Sequence, residues 1–269
     1  MKITEVYIQG KKQDSRLCED GLVITDGMVA VIDGVTSKGD RLFGGVPGGV
    51  FAKAVLAECL READVASMTP QALFSRLSLT LRQATERICP DLAPYEYPRA
   101  CVILYHDRTR EIWSYGDCQC IVGGVCHDHG NEIDGLTSSL RALYLEAALL
   151  SGATEEAFAV RDVGRERIMD ILRLQSLFEN RMGPFGYPVI NGGEICEEHI
   201  RVYPVAEGEE IVLASDGYPK LCATLAESEA FLRRVLEEDP YCYRLYRSTK
   251  GLAAENLSFD DRTYCRLTV

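Results

Sequence analysis

The segment Gly21–Ile32 constrains the fold of this chain more than any other. Leu22-Val23-Ile24-Thr25 and Met28-Val29-Ala30-Val31-Ile32 flank Asp26-Gly27. Asp-Gly between two apolar runs predicts a two-residue type I′ hairpin, because both central residues of that turn take positive φ. A turn at 26–27 sets Leu22 opposite Val31 and Ile24 opposite Val29, with Val23, Ala30 and Ile32 on the other face. Both faces are apolar, so both must be covered. A sheet covered on both sides belongs to a layered architecture.

The same register carried outward sets Asp20 opposite Asp33 and Glu19 opposite Gly34. Like charges facing each other across strands repel, and a cation between them removes the conflict. Asp33 closes the apolar run Met28–Ile32. Asp216 closes Ile211–Ala214, with Ser215 between, and Asp-Gly recurs as Asp216-Gly217. Asp260-Asp261 lies near the C-terminus. This many carboxylates at strand ends point to a divalent metal centre.

A chain of 269 residues, 46% hydrophobic and 26% charged, has the composition of a folded domain. We expect one domain over residues 1–269. A net charge of −12 argues against nucleic acid and anionic membranes as partners. The start, MKITEVYIQG, turns polar within five residues, so no signal-peptide core is expected. No apolar run approaches the ~18 residues of a membrane span. The eleven cysteines are odd in number and form no Cys-x-x-Cys pair. That pattern fits buried free thiols in a reducing cytoplasm.

The order of elements is strands, two helices, strands, two helices, strands, helix, strand. The expected strands are Ile3–Gln9, the hairpin, Ala100–His106, Glu111–Tyr115, Gln119–Val122, Tyr187–Ile190, Ile200–Val205, Glu210–Ala214 and Thr263–Val269. The first helix is expected at Val50–Ala63, with Phe51, Val55, Cys59 and Ala63 as its stripe. The second starts at Thr69-Pro70, an N-cap followed by proline, with Leu73, Leu77, Leu81, Ala84 and Ile88 in line. A helical block at Ser138–Leu150 and Thr154–Asn180 breaks at Gly152, and a last helix spans Glu227–Glu238.

Five segments now fall in order: Arg16-Leu17-Cys18-Glu19-Asp20, Asp33-Gly34, Gly116-Asp117, Ala214-Ser215-Asp216-Gly217 and Asp260-Asp261-Arg262-Thr263. Together they resemble the motifs of the PP2C, or PPM, metal-dependent Ser/Thr protein phosphatases. The resemblance runs from Arg16 to Thr263. It implies an α+β fold, a four-layer α-β-β-α sandwich of two mainly antiparallel sheets flanked by helix pairs. It implies two Mn²⁺ or Mg²⁺ ions bridged by Asp33. Glu19 and the Gly34 carbonyl would serve one, and Asp216 and Asp260 the other. Asp117 would match a third, weaker site. Asp20 would orient a metal-bound water, and Arg16 would bind the substrate phosphate. The implied activity is phosphomonoester hydrolysis, on a phosphorylated protein or a small phosphoester. The alternative is a degenerate domain of the same fold acting as a metal-binding regulatory or interaction module.

The sequence departs from that family around the substrate. Val35-Thr36-Ser37 supplies no histidine as general acid, Arg16 stands unusually close to Glu19, and Gly116-Asp117-Cys118-Gln119 replaces Gly-Asp-Ser-Arg. Asp261 reads as an exposed turn carboxylate. Cys126-His127-Asp128-His129 has the spacing of a metal cluster, but a polar loop explains it more simply. The helical block 138–180 lies where a substrate-side flap is expected.

Overall fold

The computed structural model describes residues 1–269. Ten strands form two antiparallel sheets of five. The first sheet has the order β1-β10-β9-β6-β7, made of β1 (Lys2–Gln9), β6 (Gln119–Val122), β7 (Val125–His127), β9 (Glu210–Ala214) and β10 (Arg262–Thr268). The second runs β2-β3-β4-β5-β8, made of β2 (Asp20–Thr25), β3 (Met28–Gly34), β4 (Ala100–His106), β5 (Glu111–Tyr115) and β8 (Arg201–Pro204). With the helices outside, this is the expected α+β sandwich.

The hairpin register is the one the sequence predicts, but the turn is not type I′, since neither Asp26 nor Gly27 has a positive φ. Thr25 pairs with Met28, Ile24 with Val29, Leu22 with Val31 and Asp20 with Asp33. Burial of the two strands differs. β3 is central, and Met28–Ile32 are buried throughout. β2 lies at the sheet edge, so Ile24 stays 47% exposed. Two-sided burial belongs to the inner strand and reaches only part of the outer one.

Between the sheets lie Val29, Val31, Ile103, Tyr105, Ile112, Cys118, Cys120, Ile211, Leu213, Cys265 and Leu267. On the other side of the second sheet, Val23, Ala30, Ile32, Val102, Leu104 and Trp113 meet α1 (Gly48–Glu62) and α2 (Pro70–Ile88). Thr69 caps α2 by accepting from the Ala72 N–H at 3.2 Å. The most deeply buried face of α1 is Ala52, Leu56 and Leu60, one step round from the expected stripe, of which Cys59 is buried and Phe51, Val55 and Ala63 pack at the margin. Leu73, Leu77 and Leu81 of α2 are buried, but the stripe ends before Ile88, which is exposed.

The helical block is α3 (Glu132–Leu150), the short α4 (Ala157–Val160) and α5 (Val163–Leu174). It starts earlier than predicted, because Asn131 caps α3 by accepting from the Asp134 N–H, and its α-helical part ends sooner, at Leu174. The last helix is α6 (Leu225–Glu238). Tyr187–Ile190 is not a strand; it makes only isolated bridges, Tyr187 to Glu179 and Ile190 to Ala100. The short β7 carries no alternating apolar pattern and escapes sequence reading. All eleven cysteines are free thiols. No helix is long and apolar enough to cross a membrane.

Candidate metal centre

The sandwich gathers the ends of strands from both sheets at one rim. Asp33 is in β3 of the second sheet, Asp216 follows β9 of the first, and Asp117 sits in the turn that carries the chain from β5 to β6. One carboxylate oxygen from each of the three lies within 4.8 Å of the others. The turn is held tight at Gly116, where φ is +122° and a Cβ would run into Cys101. Gly34 is likewise constrained. Its N–H donates to the Glu19 carbonyl at 3.1 Å, and a Cβ there would meet the Gly49 and Glu19 backbone.

None of Asp33, Asp117 and Asp216 has a salt-bridge partner. The Asp216 N–H donates to Asp33 Oδ2 at 3.3 Å. Burial raises the carboxyl pKa of Asp33 well above normal, and the charges of Asp20, Asp117 and Asp260 add to it. Asp216 is raised for the same reason, burial first and then Asp33 and Asp117. Burial also raises Asp117. Three hard oxygen donors, mutually repelling and without a salt-bridge partner, fit a divalent cation such as Mg²⁺ or Mn²⁺.

Asp20 lies behind this trio and is buried, 2% exposed. Its Oδ2 accepts from the Ser215 hydroxyl at 2.6 Å and from the Thr263 hydroxyl at 2.9 Å. Burial pushes its pKa up to about 8, opposed by the Ser215 hydrogen bond and helped by Asp261 and Asp260.

Glu19 and Asp260 meet lysines. Lys11 Nζ lies 2.6 Å from Glu19 Oε2, 3.3 Å from Asp260 Oδ1 and 3.0 Å from Asp261 Oδ2. It also donates to Thr36 Oγ1 at 2.9 Å. Lys250 forms a second ion pair with Asp260. Burial would raise the Asp260 pKa, but Lys250 and Lys11 hold it down to about 2. Asp261 is buried, not the exposed turn carboxylate expected, and its Oδ1 accepts from the Lys11 N–H at 2.7 Å.

Arg16 does not enter the site. Its side chain is 87% exposed and forks onto Asp14. The cations that line the cleft are Lys38, Arg247 and Lys250, around a cavity of about 350 Å³ that also takes in Asp33, Gly34, Asp117, Asp216 and Asp260. Lys38 makes no ion pair. Burial, with Arg165 and Lys250 nearby, lowers its pKa to about 7. Sequence reading missed Lys11, Lys38 and Lys250, because no local pattern distinguishes a lysine whose partners lie far along the chain.

His127 and His129 form no metal cluster. β7 ends at His127, so the two rings do not share one strand face. His129 is buried, with Nδ1 2.7 Å from the Cys118 carbonyl and Nε2 2.7 Å from the Tyr203 hydroxyl. The His127 ring packs on Tyr203.

No protein-family model matches the chain, and no curated protein matches it by sequence. Solved structures match its fold. The catalytic domain of the serine/threonine protein phosphatase PstP, in complex with two manganese ions, aligns at TM-score 0.50 and 13% identity over 100% of both chains. The Mycobacterium tuberculosis serine/threonine phosphatase PstP/Ppp aligns at TM-score 0.50 and 14% identity, covering 99% of this chain and 98% of its own. The chain therefore has the fold of the PP2C/PPM serine/threonine phosphatases.

Proposed function

We propose that this chain is a single-domain, metal-dependent phosphomonoester hydrolase, acting on phosphoserine or phosphothreonine in proteins. The observation that carries the reading is the trio Asp33, Asp117 and Asp216. They are three facing carboxylates without a salt-bridge partner, in a cleft also lined by the cations Lys38, Arg247 and Lys250. A divalent ion bound there supplies Lewis-acid chemistry, lowering the pKa of water and polarising phosphoryl oxygens.

The protein's own groups do the rest. Asp33, Asp117 and Asp216 would hold the ion. Glu19, the Gly34 carbonyl and Asp260 would be the further ligands if a second ion bound. Asp20, tied to Ser215 and Thr263, holds the ends of β2, β9 and β10 in register and orients water at the centre. Lys38 and Lys250 take the phosphate contact that Arg16 is too distant and too committed to Asp14 to make.

The test is direct. Purified protein should hydrolyse p-nitrophenyl phosphate and phosphoserine or phosphothreonine peptides with Mn²⁺ or Mg²⁺, and EDTA should stop it. A metal-replete preparation without turnover on any phosphomonoester rejects the reading. One observation favours a second reading, a metal-binding regulatory module of the same fold: Glu19 and Asp260 are already engaged by lysines. Metal binding without turnover would select it.

A further inference from the structure

We propose that the Lys11 ammonium takes the place of one divalent ion, so that the chain binds a single ion tightly, at Asp33, Asp117 and Asp216. The inference rests on the metal-centre reading above and changes its stoichiometry.

The acidic residues at this rim divide into two sets by counter-charge. Glu19, Asp260 and Asp261 face Lys11, and Asp260 also faces Lys250. Asp33, Asp117 and Asp216 face no cation within salt-bridge reach. Two positive charges already form salt bridges with the first three negative ones; the second three have no salt bridge, and Lys250 reaches Asp216 only from further off. A divalent ion gains most where least has been neutralised.

Space gives the same answer. Four oxygens, from Glu19, Thr36, Asp260 and Asp261, lie within 3.3 Å of Lys11 Nζ. An ammonium has three protons, so this cage is saturated. An ion bound to Glu19 Oε2 at the usual distance of about 2.0–2.1 Å would need the space that Nζ fills at 2.6 Å from that oxygen. The ion and the ammonium cannot share it.

Lys11 is also not free to swing aside. Its N–H is bonded to Asp261 Oδ1, and its carbonyl accepts from the Leu257 N–H at 2.7 Å. Its side chain is 9% exposed. A buried lysine held at both backbone and ammonium is a built component of the centre, not a surface residue passing near it.

The experiment is a calorimetric titration of the chelator-treated full chain with MnCl₂, paired with electron paramagnetic resonance of the bound Mn²⁺. Wild type should bind one ion and show an uncoupled spectrum. Lys11→Met should bind two, with spin coupling through Asp33. Asp216→Asn should weaken the wild-type ion by more than the about 10–100-fold that loss of a supporting residue costs, and Glu19→Gln by less. Two tight ions in wild type, or one in a folded Lys11→Met, overturns the proposal and leaves the metal centre standing. If Lys11→Met does not fold, the wild-type stoichiometry and spectrum decide alone. No binding in either protein overturns the metal centre itself.

Discussion

The Ser215 hydroxyl donates a 2.6 Å hydrogen bond to the Asp20 carboxylate, joining residues 195 positions apart. The same hydroxyl oxygen accepts from the Thr263 N–H at 2.9 Å. One side chain thus links β2 of one sheet to the ends of β9 and β10 of the other. Ser215→Ala leaves a buried acceptor short of a donor and a buried N–H short of an acceptor. We expect a loss of about 1–3 kcal/mol, read from urea unfolding with its slope unchanged. A loss below about 0.5 kcal/mol would mean that this link carries little of the junction's stability.

Metal and stability should be coupled through Asp33. In chelator, its charge is opposed by Asp20, Asp117 and Asp260. Adding Mn²⁺ to about 100 times its dissociation constant should stabilise the fold by about 2.7 kcal/mol. Asp33→Asn should remove activity and this gain together, while its metal-free form unfolds no lower than metal-free wild type. Parallel thermal scans with EDTA and with Mn²⁺ check both halves.

The phosphate contact should lie with Lys38 and not with Arg16. Lys38→Met should raise KM for p-nitrophenyl phosphate about tenfold or more, the equivalent of about 1.4 kcal/mol. Arg16→Ala, altering only an exposed pair with Asp14, should stay within about twofold. The Lys38 ammonium is present below its pKa of about 7 and lost above it. KM should therefore climb as pH rises through 7, and the climb should flatten in Lys38→Arg, whose charge does not titrate.

His129 should make the fold acid-sensitive. Burial, with Arg201 adding repulsion, depresses its pKa to about 4, below the ordinary value near 6.5. The unfolded chain then binds the proton more readily than the folded one. The neutral ring's contribution is complete above about 6.5 and is lost as pH falls from there to about 4. Melting temperatures at pH 7 and pH 5 should differ more for wild type than for His129→Gln. Equal differences would show that other groups set the acid limit.

Much of the frame was legible because it is local. The Asp26-Gly27 turn and the parity of its flanking runs determine the β2–β3 register, and with it the pairing of Asp20 with Asp33. Thr69-Pro70 marks the start of α2, and the apolar runs of β4, β5, β6 and β9 coincide with the strands. Tyr187–Ile190 misled because an apolar run reports burial, not pairing; it packs beside β4 with only isolated bridges. The α1 stripe was displaced because the small residue Ala52 sits fully buried between sheet and helix, and small residues contribute little to a pattern judged by bulk.

The sequence by itself determined which carboxylates end strands and the order in which they come. Turn chemistry and residue alternation act over a few positions, so they can be read there. Only the tertiary structure decided how the charges are balanced. Lys11 meets Asp260 and Asp261 about 250 positions away, and Lys250 meets Asp260 from a loop with no regular pattern. Electrostatic partnership depends on distance in space, which local spacing does not encode. The same list of acids therefore resolves into a neutralised set and an open one only once the two sheets are packed face to face.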